Sequence, residues 1–163
     1  MESNIKNSIK KLFLISDENN FDFINNVYKE IIKTNIKDYD IKLINYSKVN
    51  FIYNSKHDKN NNNLIEFIVD IINSNKNSSI VLIHDDYLGI SIEINKYKEI
   101  ICSSCSSVFE AKATKDHNNS NVLVASSNYI GSEVLKEIIF SYIEKEFSYK
   151  DNHFRRVEKL VKY

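Results

Sequence analysis

The sequence predicts an α/β fold: a five-stranded parallel sheet with helices on both faces. Three observations predict it. Short apolar runs recur along the chain, each too brief for a helix and right for a buried strand. Between them lie longer stretches whose apolar residues are spaced by three and four. The two kinds of segment alternate, and alternation of this kind implies parallel strands joined by helical crossovers. At 163 residues, with no internal repeat and no linker-like composition shift, the chain reads as one domain over residues 1–163.

The elements follow in order. Residues 11–16 (KLFLIS) are a compact apolar run and the first strand. Residues 21–34 carry Phe21, Ile24, Val27, Tyr28, Ile31 and Ile32 at helical spacing. Residues 41–46 (IKLINY) alternate and form the second strand. Residues 47–63 are polar, hold an Asn tract at 60–63, and exceed the usual connection, as a disordered loop or a lid does. Residues 64–72 are helical, and 79–83 (SIVLI) the third strand. Residues 88–96 (LGISIEINK) form a helix after a tight turn, and 99–102 (EIIC) the fourth strand. Residues 106–116 are a helix that Ser106 or Ser107 can cap. Residues 121–125 (NVLVA) are the fifth strand, 130–147 a long amphipathic helix, and 151–161 a final basic helix.

Composition excludes several classes. Lys+Arg and Asp+Glu are both 22, so the net charge is zero, which excludes a nucleic-acid binder of the usual basic kind. No apolar run reaches the ~20 residues of a membrane span, and the first residues (MESNIKNSIKK) lack a signal peptide's apolar stretch. Two cysteines, Cys102 and Cys105, do not make a secreted disulfide scaffold. A soluble, cytoplasmic protein is the expectation. Ile, Asn and Lys abound, with no Pro or Trp and two residues each of Gly and Arg. Under such a bias, Gly89, Gly131, Arg155 and Arg156 are expected where structure or chemistry needs them.

In open α/β sheets, ligands bind beyond the carboxyl ends of the strands. Those ends are Ser16-Asp17-Glu18-Asn19-Asn20, His84-Asp85-Asp86-Tyr87-Leu88-Gly89, the run CSSCSS from Cys102, and Ser126-Ser127-Asn128. His117-Asn118-Asn119 stands before the fifth strand.

These residues carry a resemblance. Residues 116–131 (DHNNSNVLVASSNYIG) are similar to the HNxxNVL…G segment of the ribose-5-phosphate isomerase B / galactose-6-phosphate isomerase family. Residues 88–96 resemble that family's GIGxSIAANK, residues 152–160 (NHFRRVEKL) its GGRHxxRVxxI, and residues 14–18 (LISDE) its xGSDHAG. The four segments keep the family's order and spacing. The resemblance implies a Rossmann-like three-layer α/β/α sandwich with a five-stranded parallel sheet. It also implies a homodimer, often paired into a tetramer, with sites shared between two subunits. The implied chemistry is metal-independent, cofactor-free aldose–ketose isomerisation of a sugar phosphate, of the ribose 5-phosphate to ribulose 5-phosphate type. A base moves the proton alpha to the carbonyl, and backbone N–H groups hold the enediolate.

By the same resemblance, Asp17 matches a sugar-binding Asp, His117 a ring-opening His, Asn118 a sugar- or enediolate-binding Asn, and Arg156 a phosphate-binding Arg. Gly89 and Ser91 match the start of the helix behind the third strand. Other positions depart from the pattern. Glu18 replaces a phosphate-contacting His, Asn152 a second Arg, and Asn128 a further basic residue. In the third-strand loop, His84 stands where one branch has its catalytic Cys, and Ile90 where another has a catalytic Glu. Asp85, Asp86 and Tyr87 replace Gly, Thr and Gly. His84 is then a candidate replacement base that Asp85 or Asp86 can orient, or simply the end of a strand. Asp17 is equally readable as a helix cap. A divalent site among His84, Asp85, Asp86, Asp17 and Glu18 matches no metal signature. The Cys102/Cys105 pair reads as small core residues, and Arg155, Arg156, Lys159 and Lys162 equally as a solvated face.

Three functional expectations follow. One is the isomerase, with a sugar phosphate or related small molecule as partner. Another is a catalytically inactive binding or regulatory homologue that has lost the base and most of the phosphate clamp. A third is a substrate lacking phosphate. The assembly expected is a homodimer, a tetramer, or a mixed oligomer with an unlike family subunit.

Overall fold

The structure, a computed structural model, describes residues 9–34, 36–49 and 62–162. The strands are β1 (Lys10–Ser16), β2 (Tyr39–Asn45), β3 (Ser78–Ile83), β4 (Cys102–Ser104) and β5 (Val122–Ala125). The helices are α1 (Glu18–Lys33), α2 (Tyr46–Val49), α3 (Asn62–Ser74), α4 (Tyr87–Ile94), α5 (Val108–Asn118), α6 (Ser132–Glu144) and α7 (Asp151–Lys162). All five strands pair in parallel, in the order β2-β1-β3-β5-β4. After β1 the chain turns outward to β2, and β3 returns to the other side of β1. The carboxyl ends of β1 and β3 therefore flank the point where strand order reverses, the crevice that open α/β sheets use for ligands.

Each strand places alternate residues on opposite faces, and here both faces are covered. Leu12 and Leu14, Val81 and Ile83, and Leu123 and Ala125 meet α1, α5 and α6. Phe13 and Ile15, Ile80 and Leu82, and Val122 and Val124 meet α3 and α4. That is why β3 is buried at all six positions and reads as an unbroken apolar run. Edge strand β2 alternates instead.

Local chemistry fixes the helix starts. The Asp17 carboxylate accepts from Asn20 N at 2.9 Å and caps α1. Ser107 caps α5 in a full capping box, with the Glu110 carboxylate accepting in return from the Ser107 N–H.

Four expectations need correction. The fourth strand, expected over 99–102, runs Cys102–Ser104. Glu99 is left-handed (φ 72°), so the chain is still turning there. The Asn95 amide bridges Cys102 N and O at 2.8 Å each, and Asn121 Oδ1 takes Ile101 N. Side-chain amides thus replace strand pairing just before β4. The helix expected to end at 116 continues through His117 and Asn118. The long helix, expected over 130–147, spans Ser132–Glu144: Lys145 is extended, and the Tyr39 hydroxyl donates to the Ile143 carbonyl at 3.0 Å. The polar stretch 47–63 begins inside α2 and ends inside α3. The lid or disordered loop expected there falls mostly at 50–61, outside the described residues.

The two glycines differ. A Cβ on Gly89 would fall on the Asp86 carboxylate, so a side chain there pushes that carboxylate off the cap of α4. A Cβ on Gly131 meets nothing within 4 Å, and φ is −81°. Of the two glycines expected where structure or chemistry needs them, Gly89 has a steric ground in the structure and Gly131 has none. Among the described residues no helix is long and apolar enough to cross a membrane.

Candidate active site

Residues at the carboxyl edge of the sheet form the first of two groups. Ser16 and Ile83 are paired in register, so Asp17 and His84 follow neighbouring strand ends at the crevice. The His84 N–H donates to Ala125 O at 3.0 Å, which extends the β3–β5 ladder by one residue. The ring's Nδ1 is buried without a hydrogen-bond partner. A buried polar atom left unpaired costs about 1–3 kcal/mol.

The acidic residues beside it do not orient it. Asp85 Oδ1 accepts from Asn20 Nδ2 at 3.1 Å and from Asn128 Nδ2 at 3.4 Å. Asp86 caps α4, accepting the Gly89 N–H at 3.0 Å. Asn20 is buried and sits at the centre of this network: its amide also donates to Asp17 Oδ1 at 3.0 Å, and its carbonyl accepts the Ser127 hydroxyl. Asp17 therefore has the capping role, and the same oxygen ties it to Asp85 through Asn20. Glu18 turns towards β2, where Asn45 Nδ2 donates to it and Lys48 Nζ lies at 3.8 Å. Ser91 is buried; its hydroxyl donates to Leu88 O and pairs with Ser104 Oγ, both at 2.8 Å. No residue of the turn at 84–89 has a positive φ, so the loop dispenses with the glycine geometry it lacks.

The second group lies elsewhere. His117 and Asn118 end α5, and three residues later the chain enters β5 at its amino end. They belong to the opposite edge of the sheet from His84. Arg156 Nη1 donates to Asn118 Oδ1 at 3.2 Å. The His117 ring stacks tilted on the buried His153 at 4.3 Å between centroids, and its Nε2 lies 3.5 Å from Asp116 Oδ2. His153 Nδ1 bonds the Ser148 hydroxyl at 2.7 Å. Burial, then the charges of His117 and Arg156, hold His153 below the ordinary histidine value. Asn152, Arg155, Arg156 and Lys159 line a shallow basic recess of about 350 Å³.

The structure thus brings Asp17, His84 and Gly89 together at one edge, and His117, Asn118 and Arg156 at the other. Along β5, from Asn121 to Ala125, the separation is roughly 13 Å. Cys102 and Cys105 are buried free thiols, both pushed up to about 12 by burial, as core residues are. Among the described residues no three of His, Cys, Asp or Glu converge as metal ligands would.

The family model for Ribose/Galactose Isomerase matches residues 12–160. The chain belongs to that family. Ribose-5-phosphate isomerase B of Escherichia coli is 32% identical over 81 residues, which are 50% of this chain and 54% of that one. The chain thus spans about half the length of that relative. Two solved structures share the fold over 94% of this chain. They are type B ribose 5-phosphate isomerase from Trypanosoma cruzi (TM-score 0.76, 18% identity, 97% of that chain) and ribose 5-phosphate isomerase from Thermotoga maritima (TM-score 0.74, 22% identity, 99% of that chain). Within this Ribose/Galactose Isomerase fold, sequence reasoning missed the parts played by Asn20, Ser127 and His153. The first two sit just past strand ends, where the crevice rule points; His153 had only its place before Phe154-Arg155-Arg156.

Proposed function

We propose that the chain is a sugar-phosphate isomerase that interconverts an aldose and a ketose, of the ribose 5-phosphate to ribulose 5-phosphate type. Family membership supports the reaction class. The observation that carries the reading is His84: an imidazole at the crossover point of the sheet, with a buried ring nitrogen that has no partner among the described residues. A general base needs that placement, and with Nδ1 buried it is Nε2 that would take the proton. In this reading His84 takes the proton from the carbon alpha to the open-chain carbonyl and returns it to the neighbouring carbon, through an enediolate and without metal. His117 moves the proton that opens the sugar ring, Asn118 holds a sugar oxygen, and Arg156 pairs with the phosphate. Asp17 and Gly89 shape the sugar end, with Ser91 behind them bracing α4 against β4. Since His84 and His117 occupy opposite edges, the working site takes one edge from each of two copies, in a homodimer or a larger assembly.

One observation favours a second reading, an inactive binding homologue. Asp85 and Asp86 occupy the turn whose N–H groups would face the enediolate, and carboxylates oppose a developing anion. The test is conversion of ribose 5-phosphate to ribulose 5-phosphate by purified protein. Turnover abolished by His84→Ala and by His117→Ala supports the enzyme. Absence of turnover, with ribose 5-phosphate still raising the melting temperature, supports the binding homologue.

A further inference from the structure

A cavity of about 490 Å³ opens at the amino edge of the sheet, beneath β1, β2 and β3. None of the residues assigned to the isomerase site lines it. Lys115 does, and His117 does not; two residues apart on α5, their side chains face different ways. Lys10, Lys115 and Lys145 border the cavity, against one carboxylate, Glu146.

Lys115 is the central group. Its ammonium donates to Ser120 O at 2.9 Å and Ser79 Oγ at 3.3 Å and lies 4.8 Å from the Tyr142 ring centroid. An ammonium has three donors, so these two acceptors leave one. Burial, aided by the charge of Lys10, pulls Lys115 down to about 8. Among the described residues no carboxylate offsets that cost. Around it, Ser78 Oγ and Ser120 Oγ are buried hydroxyls without partners. Of the four left-handed non-glycine residues among the described ones, Asn77, Asn119 and Tyr149 border this cavity. Such backbone is uncommon, most of all for a bulky residue such as Tyr149, and it gathers at ligand clamps.

We propose that this cavity binds the phosphoryl group of a small molecule, held by Lys115 with Lys10 and Lys145, at a site separate from the isomerase centre. The excess of cations over anions in the lining matches a phosphate dianion. The spare Lys115 donor and the unpartnered Ser78 hydroxyl in the lining supply hydrogen bonds to its oxygens. The Lys10–Glu146 pair, 3.2 Å apart and exposed, lies at the rim and is weak enough to open.

The test is calorimetric titration and thermal melting with inorganic phosphate, ribose 5-phosphate and ribose, on wild type, Lys115→Met, Lys145→Met and Arg156→Ala. Inorganic phosphate is expected to show a Lys115-dependent binding event that survives in Arg156→Ala, whatever phosphate Arg156 itself holds, and that is at least about tenfold weaker in Lys115→Met, the loss of one charge-assisted hydrogen bond. Lys145→Met, at the rim, is expected to weaken it less. Binding of both phosphate and ribose 5-phosphate at this site, without ribose, marks the phosphoryl group itself. A response to ribose 5-phosphate alone that is lost in Lys115→Met marks an ester. Wild type that takes up no phosphate compound in a Lys115-dependent manner overturns the proposal, as does phosphate binding lost in Arg156→Ala but kept in Lys115→Met. Lys115→Met is expected to melt no lower than wild type without ligand; a lower melt would assign the ammonium to the fold instead.

Discussion

His84 and His117 lie at opposite edges of one sheet, and that separation has a measurable consequence when two inactive variants are mixed. Take His84→Ala and His117→Ala, each purified, then exchanged at equal amounts by joint unfolding and refolding. In a two-fold dimer each site takes its carboxyl-edge group from one copy and its amino-edge group from the other. A dimer of either variant alone has two broken sites. A mixed dimer has one site missing both histidines and one site missing neither. Random exchange puts about half of the molecules into mixed dimers, each with one of two sites intact, so about one quarter of all sites are restored. The expected result is ribose 5-phosphate isomerisation at about 25% of wild type per total protein, from components that are each inactive. Were a single copy to form the site, the roughly 13 Å along β5 would have to be closed by moving a buried strand or the end of α5, which close packing forbids. A mixture as inactive as its components, beside an active wild type, refutes the two-copy site. An inactive wild type refutes the isomerase reading instead.

Three further outcomes are expected. Lys115→Met removes a pH dependence of stability. Lys115 is lowered in the fold to about 8 from 10.5, so between those values the unfolded chain binds more protons, and wild-type stability rises with pH by up to about 3 kcal/mol. The cost is fully present below pH 8, and urea unfolding at pH 7 and pH 10 should show the gap between variant and wild type shrinking as pH rises. In that pH window Lys10 of β1 is the charge that acts on the amine; Lys145, Glu146 and Tyr39 share the cavity lining, Tyr142 lies under the ammonium and Asp116 lies beside Lys145, all retained in the variant. Ser107→Ala breaks the capping box of α5 and should lower stability by about 1 kcal/mol, or about 2–4 °C in melting temperature. Cys102 and Cys105, buried and at about 12, should resist iodoacetamide at pH 8 in the folded protein and react once guanidinium unfolds it; rapid labelling of the native protein would contradict their burial.

Much of the fold was legible because burial on both faces writes itself as unbroken apolar runs, as in β1 and β3. What failed to read were places where side chains stand in for backbone partners. The residues at 99–101 look like a strand, yet Asn95 and Asn121 hold that backbone and push pairing forward to Cys102. The end of α6 was hidden for a similar reason, since Phe147 remains buried after the helix has stopped. At the candidate site, the crevice rule found Asp17 and His84. It also suggested that the neighbouring carboxylates orient His84, and the structure gives them to Asn20, Asn128 and the α4 cap instead. Periodicity carries no information about which of several adjacent polar groups wins a given partner. That His117 and His84 lie at opposite edges follows from the parallel order of strands, a three-dimensional fact that no single segment states.

The contact between Asp86 and Gly89 makes two positions evolve as one. While the aspartate folds back over the turn, any methyl at 89 collides with its carboxylate, and α4 keeps either that methyl or its cap. Should the aspartate be lost, the constraint at 89 relaxes, and the glycine becomes free to drift. A lineage leaving the acidic turn behind therefore loses least by changing position 86 first, since a change at 89 made earlier also costs α4 its cap.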